Sequence, residues 1–172
     1  PPMGSTWTYA MRSTGSYGSG DTQLAVRMAE ATWEGRTVLN YQTATQHQLQ
    51  DRTLNLLAVT TPDGKAQVRY DPPVGWDWPI EVGKVTKRDH VATVIATGQK
   101  IPLTSTWTVE AYEDVTVPAG TFKAWRLRYA DTTGETQMLW SVPETMGVSA
   151  KRTIERSASH RQVAGQRVIE VV

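Results

Sequence analysis

Apolar and polar residues alternate with a period of two along most of this chain, which confines it to β-structure before any other property is considered. Trp7, Tyr9 and Met11 alternate with Thr6, Thr8, Ala10 and Arg12, and Leu24, Val26 and Met28 alternate with Ala25, Arg27 and Ala29. Successive side chains of a strand point to opposite faces, so each run offers one face to a core and one to water. Thr37, Leu39 and Tyr41 follow a turn at Glu34-Gly35. Leu54 to Val59 runs into Thr61-Pro62-Asp63-Gly64-Lys65, where Pro and Asp-Gly supply the dihedrals of a tight turn before Ala66, Val68 and Tyr70 return. The same pattern predicts strands over 91–96, 104–117, 121–130, 136–142, 148–156 and 168–172, with Val117-Pro118-Ala119-Gly120-Thr121 as a hairpin tip. A helical apolar period is missing from every longer window; residues 42–52 come nearest, and their Thr and Gln make a poor helix.

At 172 residues, with no linker and no short internal repeat, the expectation is one β domain over 1–172. Asp71-Pro72-Pro73-Val74-Gly75-Trp76-Asp77-Trp78-Pro79 holds three prolines and two tryptophans, and it reads as an ordered loop crossing between sheet segments. Gly15-Ser16-Tyr17-Gly18-Ser19-Gly20 lacks the spacing of a phosphate-binding or dinucleotide loop and reads as a hairpin connection. No apolar run approaches the ~20 residues of a membrane helix.

Several chemistries are poorly supplied. Cys is absent, which excludes disulfides, thiolate metal sites and Cys nucleophiles. His47, His90 and His160 stand far apart with no ligand spacing, so no metal and no cofactor is expected. No Gly-x-Ser-x-Gly elbow occurs. Glu110, Glu113 and Asp114, and likewise Asp71 and Asp77, read as exposed turn carboxylates rather than an acid/base pair. No catalytic residues are assigned and the chain is expected not to be an enzyme. A net charge of +1 argues against nucleic acid as a partner. One asymmetry stands out: residues 151–172 carry Lys151, Arg152, Arg156, Arg161 and Arg167 against Glu155 and Glu170. The expectation is a solvated strand edge where basic residues block edge-to-edge pairing, with an anionic ligand or lipid headgroup as the alternative.

Seven tryptophans against a single Phe are the other distinctive feature: Trp7, Trp33, Trp76, Trp78, Trp107, Trp125 and Trp140. They serve either as core and rim or as the lining of a water-accessible concave surface. Parity places Trp107 with Val109 and Ala111, Trp125 with Leu127 and Tyr129, and Trp140 with Met138 and Val142. Trp76, Trp78, Trp107, Trp125 and Trp140 are the candidate ligand-binding residues, with Trp76 and Trp78 at the mouth of a concave sheet.

The runs Trp78-Pro79-Ile80-Glu81-Val82-Gly83-Lys84, Trp107-Thr108-Val109-Glu110 and Val115-Thr116-Val117-Pro118-Ala119-Gly120-Thr121-Phe122-Lys123 carry a resemblance, as does Leu139-Trp140-Ser141-Val142-Pro143-Glu144. Over roughly 65–156 the chain is similar to a family of uncharacterised exported bacterial proteins, itself similar to the lipoprotein-carrier half-barrels of the LolA/LolB type. The resemblance implies one strongly curved antiparallel sheet, a half-barrel, here with few or no helices. It implies a non-enzymatic exported protein, periplasmic or anchored at the outer membrane, whose concave sheet receives a hydrophobic or lipid-like ligand or an envelope protein. The Pro-Pro start fits a mature segment that follows a removed signal or a lipid-anchored Cys. Two other readings stay open: a carbohydrate-binding β-module with exposed Trp, and a structural or partner-binding scaffold.

Overall fold

Period two becomes twelve antiparallel strands. The computed structural model describes residues 3–145 and 148–172. The strands are β1 (Thr6–Gly15), β2 (Gly20–Trp33), β3 (Arg36–Gln42), β4 (His47–Gln50), β5 (Leu56–Thr60) and β6 (Ala66–Val74). Then follow β7 (Val85–Val94), β8 (Gln99–Val117), β9 (Gly120–Asp131), β10 (Glu135–Ser141), β11 (Ser149–Arg156) and β12 (Gly165–Val171). Each pairs with the next, and β1 also pairs with β12, so the sheet closes. Pro143–Thr145, a single 3₁₀ turn, is the one helical segment among the described residues.

Closure corrects the expected half-barrel. The antiparallel β sheet is as anticipated, but β1 has two partners: Trp7 lies opposite Val26 on β2, and Tyr9 lies opposite Val171 on β12. The last apolar run of the chain is therefore the closing strand, and no long unpaired edge remains among the described residues. The basic 151–172 stretch is accordingly not a strand edge. The weak helix over 42–52 is also replaced: its residues form the end of β3, a turn in which the Thr43 N–H donates to Gln46 O (3.0 Å), and β4. The proline-rich loop begins inside the sheet, since Asp71 faces Val91 on β7 and Val74 faces Leu56 on β5.

Alternation of direction sorts the loops to two ends. Loops 16–19, 43–46, 61–65, 95–98, 132–134 and 157–164 surround one end, called here the mouth. Loops 34–35, 51–55, 75–84 and 118–119, with residues 142–145 and 148, surround the base. The base is filled from its loops. Trp76 and Ile80 of the 75–84 loop pack on the inward residues Trp107, Val109, Leu127, Tyr129 and Leu139, with Leu54 and Val74 beside them. Val148 packs on Tyr9 and Val26 next to it.

Two satellite cores lie on the outer wall. A bulge between Val109 and Ala111 shifts β8 by one residue against β9. Beyond it the hairpin tip folds over β10 to β12, packing Val115, Val117, Phe122 and Ala124 on Trp140, Val142, Ala150 and Val171. The Ala119 N–H donates to Val171 O at 3.2 Å. The β2–β3 hairpin does the same over β4 to β6. Ala31, Trp33 and Val38 cover Leu49 and Ala58, and Glu34 at the tip pairs with Arg69 on β6 at 2.6 Å. Each hairpin thus reaches three strands along, burying outward residues that period two alone assigns to water.

Candidate site: the polar mouth of the barrel

Strand register sets which side chains point inward. Trp107, Tyr129, Gln137, Ile154, Arg167 and Ser13 lie opposite one another in a row across β8, β9, β10, β11, β12 and β1. Parity then carries Asp131, Glu135, Arg152 and Arg156 inward as well, and across the barrel Tyr41 and Tyr70. The apolar part of this surface is packed at the base. Towards the mouth the inward side chains of β5 to β8 include Val59, Val68, Val94 and Ile101, whereas those of β9 to β12 are Glu, Gln, Asp and Arg; Tyr41, Tyr70, Glu135, Gln137, Arg152, Arg156 and Arg167 all keep some accessible surface.

These polar groups form one connected network. Tyr17, from the β1–β2 loop, leans into the mouth with its ring between the guanidinium carbons of Arg156 (3.7 Å to the ring centre) and Arg167 (4.6 Å). Such cation–π stacking holds planar cations without neutralising them. The Tyr17 hydroxyl donates to Glu135 Oε2 at 3.2 Å, and Glu135 Oε1 accepts from Gln137 Nε2 at 2.5 Å. The other end of that amide, Gln137 Oε1, accepts from Arg152 Nε at 2.9 Å and from Arg152 Nη2. Arg167 donates from Nε to Ser13 Oγ (3.0 Å) and from Nη2 to Tyr17 O (3.4 Å). Glu135 is the only carboxylate of the group that approaches an arginine, at 3.7 Å from Arg156 Nε. Asp131 is occupied otherwise: Oδ2 accepts the Tyr129 hydroxyl (2.6 Å), and Oδ1 accepts the Thr133 and Glu135 N–H groups.

Enclosure acts on the phenols. Burial pushes the Tyr17 hydroxyl up to about 12, helped by the neighbouring Glu135 charge. Tyr9, Tyr41, Tyr70 and Tyr129 are likewise raised, each first by burial. Five of the six tyrosines therefore stay neutral well above the ordinary phenol range. Arg167 is lowered by burial and, against the favourable Tyr17, by the positive charge of Arg156.

The five tryptophans singled out by sequence do not form one site. Trp76 and Trp107 are buried at the base, edge to face at 5.0 Å, and Trp107 also touches Tyr129 at 4.9 Å. Trp78 is 52% exposed at the outside of the base, its Nε1 donating to Thr53 O at 3.0 Å. Trp125 stacks on the exposed Tyr112 at 4.5 Å. Trp140 lies outside the barrel under the β8–β9 hairpin, donating from Nε1 to Glu113 Oε1 at 3.0 Å. The inward arginines and tyrosines were missed as a group. Their signal was present: Arg152 and Arg156 share parity with Ile154, and Arg167 with Ile169 and Val171, which puts charge on an apolar face.

Other reactive-looking groups are tied down. His90 and Ser105 resemble a nucleophile–base pair, with His90 Nε2 at 2.7 Å from Ser105 Oγ. His90 Nδ1 lies at 2.7 Å from Pro72 O, which can only accept, so that nitrogen carries a proton. Ser105 is 0% exposed, however, so no substrate reaches it. Glu110 and Glu113 both pair with Arg126, at 3.1 and 2.9 Å, and Asp77 pairs with Arg88 at 2.5 Å.

No protein-family model matches the chain, and no curated protein matches it. Among solved structures it is similar to the hypothetical lipoprotein YmcC from Escherichia coli K12. The two are 13% identical, the match covers 98% of this chain and 84% of that one, and the TM-score is 0.51. At that identity the likeness is one of fold.

Proposed function

We propose that this chain is a non-enzymatic protein of the bacterial envelope that receives a ligand in the mouth of its barrel. The envelope assignment draws support from the fold shared with a hypothetical lipoprotein. The binding assignment rests on one observation: on the wall formed by β9 to β12 the inward side chains nearest the mouth, Asp131, Glu135, Arg156 and Arg167, are polar and partly accessible, facing Val59, Val68, Val94 and Ile101 across the barrel, whereas the base is apolar and packed. Barrels of about eight strands are filled by their side chains and wider ones can enclose a ligand, and this barrel has twelve strands. A non-catalytic role agrees with the sealed Ser105 and with carboxylates held in ion pairs.

The sequence pointed to an apolar or lipid-like ligand, on the strength of tryptophan. The wall of β10 to β12 favours a polar one, because Trp76 and Trp107 pack against each other at the base and Trp7 packs on Tyr9 and Tyr41, while an amide, a carboxylate and guanidinia face the mouth there. Tyr rings beside Arg forks suit a ligand with flat hydroxylated faces and hydrogen-bonding groups.

The test is native mass spectrometry of the purified chain after incubation with separated glycan and lipid fractions of a bacterial envelope. A saturable adduct is expected from the glycan fraction, and it should disappear when Gln137→Trp or Ser13→Trp fills the interior. Absence of any adduct, or an adduct that survives both substitutions, overturns the reading.

A further inference from the structure

Three arginines line one inward wall with too few carboxylates to balance them. Across β11 and β12, Arg152 lies opposite Ile169, Ile154 opposite Arg167, and Arg156 opposite Gly165. Arg167 on β12 is therefore the diagonal neighbour of both Arg152 and Arg156 on β11. Only Arg156 has a carboxylate within 4 Å among the described residues. Its Nε is buried and has no hydrogen-bond partner there, since Glu135 stands at 3.7 Å.

Arg152 and Arg167 are oriented without being neutralised. Both of the hydrogen bonds made by Arg152 go to the neutral oxygen of Gln137, and those of Arg167 go to a hydroxyl and a backbone carbonyl. On each fork Nη1 is left over. Like charges on adjacent strands disfavour one another, and partial burial strengthens that repulsion. Burial lowers Arg167 first, and the charge of Arg156 adds a smaller lowering. A planar fork with free donors, held rigid by neutral acceptors, is the arrangement that recognises carboxylate or phosphate oxygens.

We infer that the ligand of the mouth is an anion, with carboxylate or phosphate oxygens seated between Arg152 and Arg167. This rests on the proposed binding role and specifies its ligand class. Tyr17 keeps Arg156 and Arg167 apart and flat.

The full chain is titrated by calorimetry at fixed ionic strength with tetragalacturonate, inorganic phosphate and neutral maltotetraose. Phosphatidylglycerol and phosphatidylcholine vesicles are tested in parallel. Binding of tetragalacturonate or phosphate is expected to exceed that of maltotetraose at least tenfold. Arg152→Gln and Arg167→Gln should each weaken it about tenfold, with Arg152→Lys in between and Arg128→Gln on the outer wall unchanged. Circular dichroism establishes that each variant is folded, and either glutamine variant suffices if the other is not. Binding to phosphatidylglycerol but not phosphatidylcholine, lost in the same variants, supports the inference and places the anion on a lipid headgroup. Equal binding of maltotetraose and tetragalacturonate, or wild-type binding by the glutamine variants, overturns it. If a neutral ligand binds and Gln137→Trp abolishes it, the anion inference falls and the binding role stands. If nothing binds, both fall.

Discussion

Trp107 and Trp78 look alike in sequence and differ in what they do. Trp107 is buried between Trp76 and Tyr129, so Trp107→Ala removes a large side chain from the packed base and should cost about 3–5 kcal/mol. Trp78 keeps half its surface in water and one hydrogen bond to Thr53 O; Trp78→Ala should cost about 1 kcal/mol. Urea denaturation of the two variants separates them, and equal losses would contradict the packing described. Gly120 and Gly165 form a second contrast. Gly120 has φ +136° with open space where a Cβ would stand, so Gly120→Val should cost about 1–3 kcal/mol from the backbone alone. At Gly165 a Cβ would meet Ser16 N at 2.8 Å and the Tyr17 ring at 3.1 Å. Gly165→Ala should therefore cost about 1–3 kcal/mol by overpacking and also disturb the ring between the arginines. A drop in ligand affinity with Gly165→Ala but not with Gly120→Val is the expected pattern.

At the scale of the element, the two curled hairpins are the unusual parts. Each buries its outward face only because its end bends across three neighbours, so this contact should open without the barrel opening. Replacing Val115 and Val117 by Ser removes apolar area from the β8–β9 flap while leaving every strand pairing of the barrel intact. Hydrogen exchange should then speed up at the Ala119 amide, which donates to Val171 O, and stay slow at Leu127 and Leu139. Faster exchange throughout would mean that the flap and barrel unfold as one unit.

The closed barrel as a whole sets the response to alkali. Tyr17 is raised from about 10 to about 12, and Tyr9, Tyr41, Tyr70 and Tyr129 are raised as well. The folded state thus holds protons that the unfolded chain releases, so stability is full below about pH 10 and falls as pH climbs towards 12. Tyrosinate absorbance at 295 nm should rise far less than six free phenols would give until unfolding sets in, and then jump. A full rise before any loss of near-ultraviolet circular dichroism would show that the phenols are not enclosed.

Much of this was legible in the sequence. Alternation at Trp7 to Met11, Leu24 to Met28 and Ala66 to Tyr70, with Asp63-Gly64 and Gly120 at turns, determined antiparallel strands and hairpins, because side-chain parity and turn dihedrals are local properties. Parity also held the sign of the candidate site, in Arg152, Ile154 and Arg156 on one face, although the basic residues read more simply as a solvated edge. What the sequence left undecided depends on contacts between distant segments. Whether β12 meets β1 or stays an edge turns on a pairing more than 150 residues apart, as with Tyr9 and Val171, and alternation is the same in either case. Closure then decided the rest: it made one parity the inside, turned Arg152, Arg156 and Arg167 of the basic tail inward while Lys151 stayed outside with Trp140, and sent Trp76 to the base and Trp140 to the outer wall. An apolar or charged residue records only that its face is special; which partner covers that face is fixed when the sheet closes.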